Sequence, residues 1–282
     1  MIGMNALGQN GRLGNQMFQY AALVGIAKNL GYDHCIPDHS KVTWFDRMEG
    51  DQIITQHHQL QHLFEMNHLN GRFGEATEYN INLTQAEFCK ELYEECPDGA
   101  TLYGYFESYH YFKDAEEEVR SDFTFRKHIL DAAKEFHKTD NVVCLNVRRG
   151  KDFIRVQDFH PPCTEDYYKE CIEMLGKDRQ YLVISDDIEW CKTVFRGSNF
   201  YFNQETPEGL IKGHYDLAVG ALCDDFIISN STFSWWMSYL GTSPTKRILA
   251  PDPWFGPKLS HIDTEGYYPP NVERVSREIV RI

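Results

Sequence analysis

From residue 142 onward the hydrophobic pattern is regular. Apolar runs at Val142–Val147, Tyr181–Ser185, Phe226–Ser229 and Arg247–Ala250 read as buried strands. Between them lie helical stretches near 164–176, 187–195, 207–223 and 232–240. Thr164 ahead of Glu165 and Asp166 reads as an N-cap with an acidic first turn, and Thr206-Pro207 places proline at a first helical position. Strands alternating with helices predict a parallel sheet with helices on both faces.

The first half is less even. Residues 2–7 read as a strand, followed by the glycine-punctuated loop Gly8-Gln9-Asn10-Gly11-Arg12-Leu13-Gly14. A helix from Asn15 to Leu30 carries Met17, Tyr20, Ala21, Val24 and Ala27 along one face, and Gly31 stands where a C-terminal cap belongs. A helix start aimed at such a loop suits an anion, although an ordinary turn has the same composition. Residues 40–100 carry no clear period. Thr101 to Phe106 reads as a strand, and the run Tyr103, Tyr105, Phe106, Tyr109, Tyr111, Phe112 as core packing, with a sugar-stacking wall as the alternative. Residues 113–138 read as mostly helical, with Glu116, Glu117 and Glu118 on a solvated face. The polar stretch Lys138-Thr139-Asp140-Asn141 marks the expected boundary, which divides the chain into domains 1–139 and 140–282.

Three predicted strands end in chemically suggestive loops. Asn146-Val147-Arg148-Arg149-Gly150-Lys151-Asp152 puts two guanidinium groups at a strand end, a costly arrangement unless an anion meets them. Its plain alternative is a solvated ion pair. Ser185-Asp186-Asp187 offers carboxylate acceptors for a ribose or a guanine edge, or a cap for the next helix. Ser229-Asn230-Ser231-Thr232-Phe233-Ser234 sets hydroxyls and backbone amides at a helix start, more small polar groups than one cap needs. In a doubly wound sheet these loops share one edge, and together they suit a nucleoside diphosphate. No Gly-x-x-x-x-Gly-Lys-Ser/Thr loop and no Asp-x-Asp triplet occurs, which weakens ATP-type phosphoryl transfer and a metal-held diphosphate. Arginines and amides then balance the leaving charge.

Composition narrows the class. A chain of 282 residues, 42% hydrophobic and with net charge -14, has ample core and is a poor candidate for nucleic acid or an anionic membrane surface. Eight cysteines without a Cys-x-x-Cys pair fit reduced thiols. The start Met1-Ile2-Gly3-Met4-Asn5 lacks a signal-peptide pattern, and no apolar run approaches the ~20 residues needed to span a bilayer. The expectation is a soluble, cytoplasmic protein. His57, His58, His62 and His68 form a histidine-rich segment, with His58 and His62 one helical turn apart; no nearby cysteine or paired carboxylate completes a metal site, so a solvated surface is expected.

The motifs resemble one family. Gly11-Arg12-Leu13-Gly14-Asn15-Gln16-Met17-Phe18-Gln19-Tyr20-Ala21 is similar to the opening motif of the α-1,2-fucosyltransferases, glycosyltransferase family 11. Gly104-Tyr105-Phe106-Glu107-Ser108, Ser185-Asp186-Asp187 with Trp190, Asn230-Ser231-Thr232-Phe233-Ser234-Trp235-Trp236, and Ala250-Pro251 with Trp254-Phe255 resemble further family segments in the family's order. The family's His-x-Arg-Arg-Gly-Asp-Tyr departs here to Asn146-Val147-Arg148-Arg149-Gly150-Lys151-Asp152-Phe153, with asparagine for histidine and Lys151 displacing the aspartate by one position.

The resemblance implies a GT-B-like α/β fold, two Rossmann-type domains facing a central cleft, with GDP-β-L-fucose held mainly by the C-terminal one. It implies inverting transfer to the 2-hydroxyl of a terminal β-galactoside, with no metal or other cofactor required. Carried over, Arg148 contacts the β-phosphate and Arg149 positions the loop. Asp186 or Asp187 contacts the nucleoside, Ser231, Thr232 and Ser234 contact the diphosphate, and Asn146, Ser185, Asn230 and Phe233 also serve the donor. Gly14, Asn15 and Gln16 close over the donor, while Glu107 and Trp235 serve the acceptor. Asp152 is the favoured base, with Asp158 and Glu107 open. The implied partners are GDP-fucose and a galactose-terminated oligosaccharide or glycolipid precursor, with possible peripheral contact with lipid-linked glycans. Two competing readings are a nucleotide-sugar-binding protein without turnover, favoured by Asn146 and Lys151, and a fucosyltransferase of another linkage or acceptor.

Overall fold

The structure, a computed structural model, describes residues 1–38, 40–41, 45–49, 52–56, 58–71, 78–80, 87–137 and 139–281, the backbone alone at 45–49, 52–56 and 78–80. His57 and Lys138 lie outside the described residues. The chain forms two compact units: Met1–Arg126 with Asp263–Pro269, and Lys127–Ile262 with Pro270–Ile282.

The first unit contains β1 (Ile2–Gly3), α1 (Leu13–Leu30), β2 (His34–Pro37), β3 (Phe45–Glu49), β4 (Gln52–Gln56), α2 (Leu60–Leu63), β5 (Leu69–Asn70), β6 (Glu78–Asn80), α3 (Lys90–Glu95), β7 (Thr101–Tyr103) and α4 (Glu116–Asp122). A parallel sheet runs in the order β5-β2-β1-β7-β6, and β3 pairs with β4 as an antiparallel hairpin. α1 is buried along most of its length, which explains why it is apolar on nearly every face rather than along one stripe. Gly31 ends it in the left-handed region at φ 68°, and Tyr32 N donates to Ala27 O across the cap.

Both expected strands of this unit are shorter than the apolar runs suggest. β1 stops at Gly3 because Leu7 N turns back to Met4 O, and β7 stops at Tyr103 because Gly104 (φ 156°) and Phe106 (φ 55°) redirect the chain. The aromatic run is mainly packing: Phe106, Tyr111 and Phe112 are fully buried, and Phe106 meets Tyr111 edge-on. Segment 263–269 completes this core, with Tyr267 buried 5.9 Å from Phe18 and Ser108 Oγ donating to Gly266 O.

The second unit holds α5 (Lys127–Phe136), β8 (Val142–Val147), α6 (Lys151–Ile154), α7 (Glu165–Leu175), β9 (Gln180–Ser185), α8 (Ile188–Val194), β10 (Phe200–Phe202), α9 (Lys212–Ala221), β11 (Asp225–Ile227), α10 (Thr232–Leu240), β12 (Ile248–Asp252) and β13 (Val272–Ser276). α5 packs on α9, so the polar residues 139–141 lie inside this unit, between α5 and β8. The six strands are all parallel, in the order β10-β9-β8-β11-β12-β13. Every residue of β8 is buried, as a continuous apolar run in a covered parallel sheet should be.

The sequence pattern missed both edge strands, β10 and β13. Glu273 and Arg274 interrupt one, and half-buried aromatics make up the other. Thr164 caps α7 as predicted, its hydroxyl accepting from Tyr167 N. Pro207 does not open a helix: Leu210 N turns back to Pro207 O, Gly209 takes φ 81°, and α9 begins only at Lys212.

A tight contact in the first unit gives a direct check. A Cβ added to Gly25 would lie 1.8 Å from the backbone oxygen of Tyr111. Gly25→Ala must push that turn away from α1, and should cost about 3 kcal/mol in urea unfolding despite alanine's better helix propensity.

Candidate functional site

The strand order of the second unit reverses between β8 and β11, where ligands bind in open α/β sheets. Polar side chains fill that point. Asn146 Oδ1, near the end of β8, accepts from Ser229 Oγ at 3.1 Å and Ser234 Oγ at 2.7 Å, and the two hydroxyls lie 2.9 Å apart. Ser229 follows β11 and Ser234 lies in the first turn of α10, so the network ties both strand ends to that helix. All three residues are buried. A histidine at 146 would offer a ring nitrogen here, whereas the asparagine presents its amide oxygen to both hydroxyls.

Beside this network, the loop after β8 presents its arginines. Arg148 is held by two carboxylates, Asp152 Oδ2 at 2.6 Å from Nη2 and Asp186 Oδ2 on Nη1, with Phe153 beneath its guanidinium at 5.1 Å. Asp186 also accepts from Arg149 N at 2.7 Å. This approach requires glycine next door, because a Cβ at Gly150 would lie 2.5 Å from Asp186 Oδ2. Arg149 lies over Trp190 at 4.4 Å, with Asp187 Oδ2 3.9 Å from its Nε. Asp187 also caps α8, accepting from Trp190 N, and takes Ser185 Oγ on its own N–H.

Several residues expected to touch a ligand are buried and packed or bonded within the protein. Ser234 is fully buried and committed to Asn146. Asn230 donates to the carbonyls of Pro161 and Trp254, where Arg277 joins it from β13's far end. Trp235, expected at the acceptor, is 2% exposed and stacks on Tyr239 at 5.1 Å. Ser231, Thr232 and Phe233 are half-buried at the start of α10, where Ser231 caps without a side-chain bond. Asp158 is paired with Arg281 and Lys258. The part Arg277 plays was not legible in the sequence: it is one of several charges in a C-terminal stretch, and only the fold brings it to Pro161.

In the first unit, Gly14, Asn15 and Gln16 form the first turn of α1. Gln16 Oε1 accepts from Gln59 N at 2.7 Å, and Asn15 covers Gly11, whose φ is 74°. Glu107 follows β7 at the same sheet edge as this turn and is 3% exposed. Burial pushes its carboxyl up to about 8. Among the histidines singled out by sequence, His58 is buried with Nε2 2.6 Å from Pro37 O, which makes it a core residue rather than a solvated one.

Two outcomes follow from this geometry. Asn146→Ala leaves two buried hydroxyls with one partner fewer, and should lower stability by about 1–3 kcal/mol in chemical denaturation. Glu107 has a folded pKa above its ordinary 4.5, so it favours the fold in its protonated form. Its contribution is full below pH 4.5 and is lost as pH rises towards about 8. Glu107→Gln should therefore flatten the fall in melting temperature across that window; an unchanged slope would mean the carboxyl is ionised at neutral pH.

Comparisons with known proteins identify the family and the fold. The sequence profile of Glycosyl transferase family 11 matches residues 1–258. The Escherichia coli O-antigen biosynthesis glycosyltransferase WbnK is 26% identical over 87% of this chain and 93% of its own. An alpha-1,2-colitosyltransferase from Escherichia coli is 27% identical over 87% and 90%. Galactoside alpha-(1,2)-fucosyltransferase 2 of Bos taurus is 24% identical over 91% and 78%. Among solved structures, POFUT1 in complex with GDP aligns with TM-score 0.55 at 12% identity, covering 88% of this chain and 97% of that one. Fucosyltransferase NodZ from Bradyrhizobium aligns with TM-score 0.53 at 12% identity, covering 84% and 91%. The fold is thus GT-B-like, and the protein, a glycosyltransferase, belongs to glycosyl transferase family 11.

Proposed function

We propose that the protein transfers L-fucose from GDP-β-L-fucose to the 2-hydroxyl of a terminal β-galactoside, with inversion. The observation that carries this reading is the position of Arg148 and the Asn146–Ser229–Ser234 network at the strand-order reversal of the second unit. A nucleoside diphosphate there has a guanidinium on one side and the amides of the α10 start on the other. Relatives named for α-1,2 fucosyl and colitosyl transfer support the sugar and the linkage.

In the proposed reaction the acceptor oxygen attacks the anomeric carbon, the bond to the β-phosphate breaks, and GDP leaves with its electron pair. Arg148 takes up the charge that develops on the phosphate. Its carboxylate partners, Asp152 and Asp186, occupy the guanidinium before the donor arrives. Diphosphate binding displaces Asp152 from this pair and leaves its oxygen to accept the proton of the attacking hydroxyl. Asp186, which also holds Arg149 N, stays as the anchor of the loop. Arg149, packed on Trp190, fixes the loop's direction.

A second reading has a specific basis. The similarity to an alpha-1,2-colitosyltransferase favours colitose in place of fucose as the transferred sugar. Offering both sugar nucleotides and comparing kcat/KM separates the two donors.

GDP release from GDP-fucose should rise when lactose is added, with and without EDTA, and the product should carry an α-1,2 linkage. Release unaffected by lactose would redirect the acceptor assignment, and protein that binds GDP without turnover would favour the binding-protein reading. Arg148→Ala should lower kcat at least ~100-fold while the melting temperature holds within a few degrees. Arg148→Lys should recover little, since a point charge does not reproduce a two-pronged contact. Near-native activity in Arg148→Ala would overturn the site assignment.

A further inference from the structure

The first unit contains a cluster that sugar transfer does not use. His34, His68 and Asp122 each bring one ligand-type atom to a common point, all within 4.8 Å of one another. His34 opens β2, His68 immediately precedes β5, and Asp122 ends α4. The two imidazoles face each other with ring centroids 4.1 Å apart. His34 Nε2 is buried without a hydrogen-bond partner among the described residues, a costly state for a ring nitrogen. The Asp122 carboxylate is steadied from behind, with Oδ2 accepting from Tyr20 OH at 2.8 Å and Asn67 also bonded to it.

We propose that His34, His68 and Asp122 bind one divalent transition-metal ion of the zinc class, with water completing its coordination. Two imidazoles and one carboxylate are an N/O donor set suited to zinc, and a ligating carboxylate is commonly oriented by an outer hydrogen bond such as the one from Tyr20. Bonds of ~2.1 Å at tetrahedral angles place donor atoms ~3.4 Å apart, so the cluster must contract by up to about 1.4 Å. The exposed His68 side chain can make that movement, while Tyr20 and Phe123, 5.6 Å apart, hold the Asp122 side rigid.

The site lies at the edge where the parallel strands begin: His34 pairs with Ile2, the first residue of β1. The α1 start and Glu107 lie at the opposite edge, where β1 and β7 end. The ion is therefore a clip on the fold and not a party to the transfer reaction. It joins three segments distant in sequence, so its binding energy adds to the stability of this unit.

Protein stripped with chelator and titrated with Zn2+ should take up one equivalent by equilibrium dialysis and gain several degrees in melting temperature. Co2+ should give visible absorption of an N/O-ligated ion. His68→Ala, at an exposed position, should fold normally by circular dichroism, bind Zn2+ at least tenfold more weakly and lose the thermal gain. Asp122→Asn should do the same if it folds, and His68→Ala decides if it does not. No uptake at micromolar Zn2+, or uptake that survives His68→Ala unchanged, would overturn the proposal.

Discussion

The strand-end loops of the second unit depend on one guanidinium held between two carboxylates. Arg148 is fixed by Asp152 from its own short helix and by Asp186 from the end of the neighbouring strand. An arginine at a strand end with no such partners would sample many rotamers and carry a large ordering cost into any complex. Here the cost is met within the fold, and the direction of the group is set before a ligand arrives. The requirement spreads outward. Asp186 can reach Arg148 only because Gly150 has no side chain, and the loop keeps its course because Arg149 lies on Trp190. A sequence of net charge -14 can thus present a local cationic site, but its anions are in direct competition with any diphosphate that enters.

Beneath that loop, the Asn146–Ser229–Ser234 network solves a different problem. Neighbouring parallel strands whose crossover helices go to opposite faces leave a crevice with polar backbone at its floor. Three buried side chains that satisfy one another fill this floor without presenting a charge. A serine at the first turn of α10 is then part of the sheet's end as much as of the helix, which fixes where the helix amides point.

Much of the second unit was legible because its strands are buried on both faces. The apolar run at 142–147 coincides with β8, and the helix expected at 232–240 coincides with α10. What escaped were features decided by tertiary context. β13 reads as charged and β10 as too short, since edge strands need bury only one side. Pro207 looked like a helix start, but Gly209 after it made a turn cheaper. At the candidate site, residue types marked out loops but not which side chains are buried in them: Ser234 and Trp235 stand close to half-buried Phe233 yet both are sealed. Chain order alone cannot state which side of a helix start is lined by protein. The cluster of His34, His68 and Asp122 was illegible for the same reason, its members being far apart in sequence.

The segment 263–269 leaves the second unit, contributes Tyr267 to the core around Phe18, and returns before β13. The polypeptide therefore passes between the two units more than once, like a thread stitched through two pieces of cloth. Neither unit is a contiguous stretch of sequence, so neither can be inherited, swapped or expressed whole by cutting at a single peptide bond. During synthesis the first unit must wait, with an aromatic face uncovered, until the strands and helices of the second unit up to residue 262 have been made.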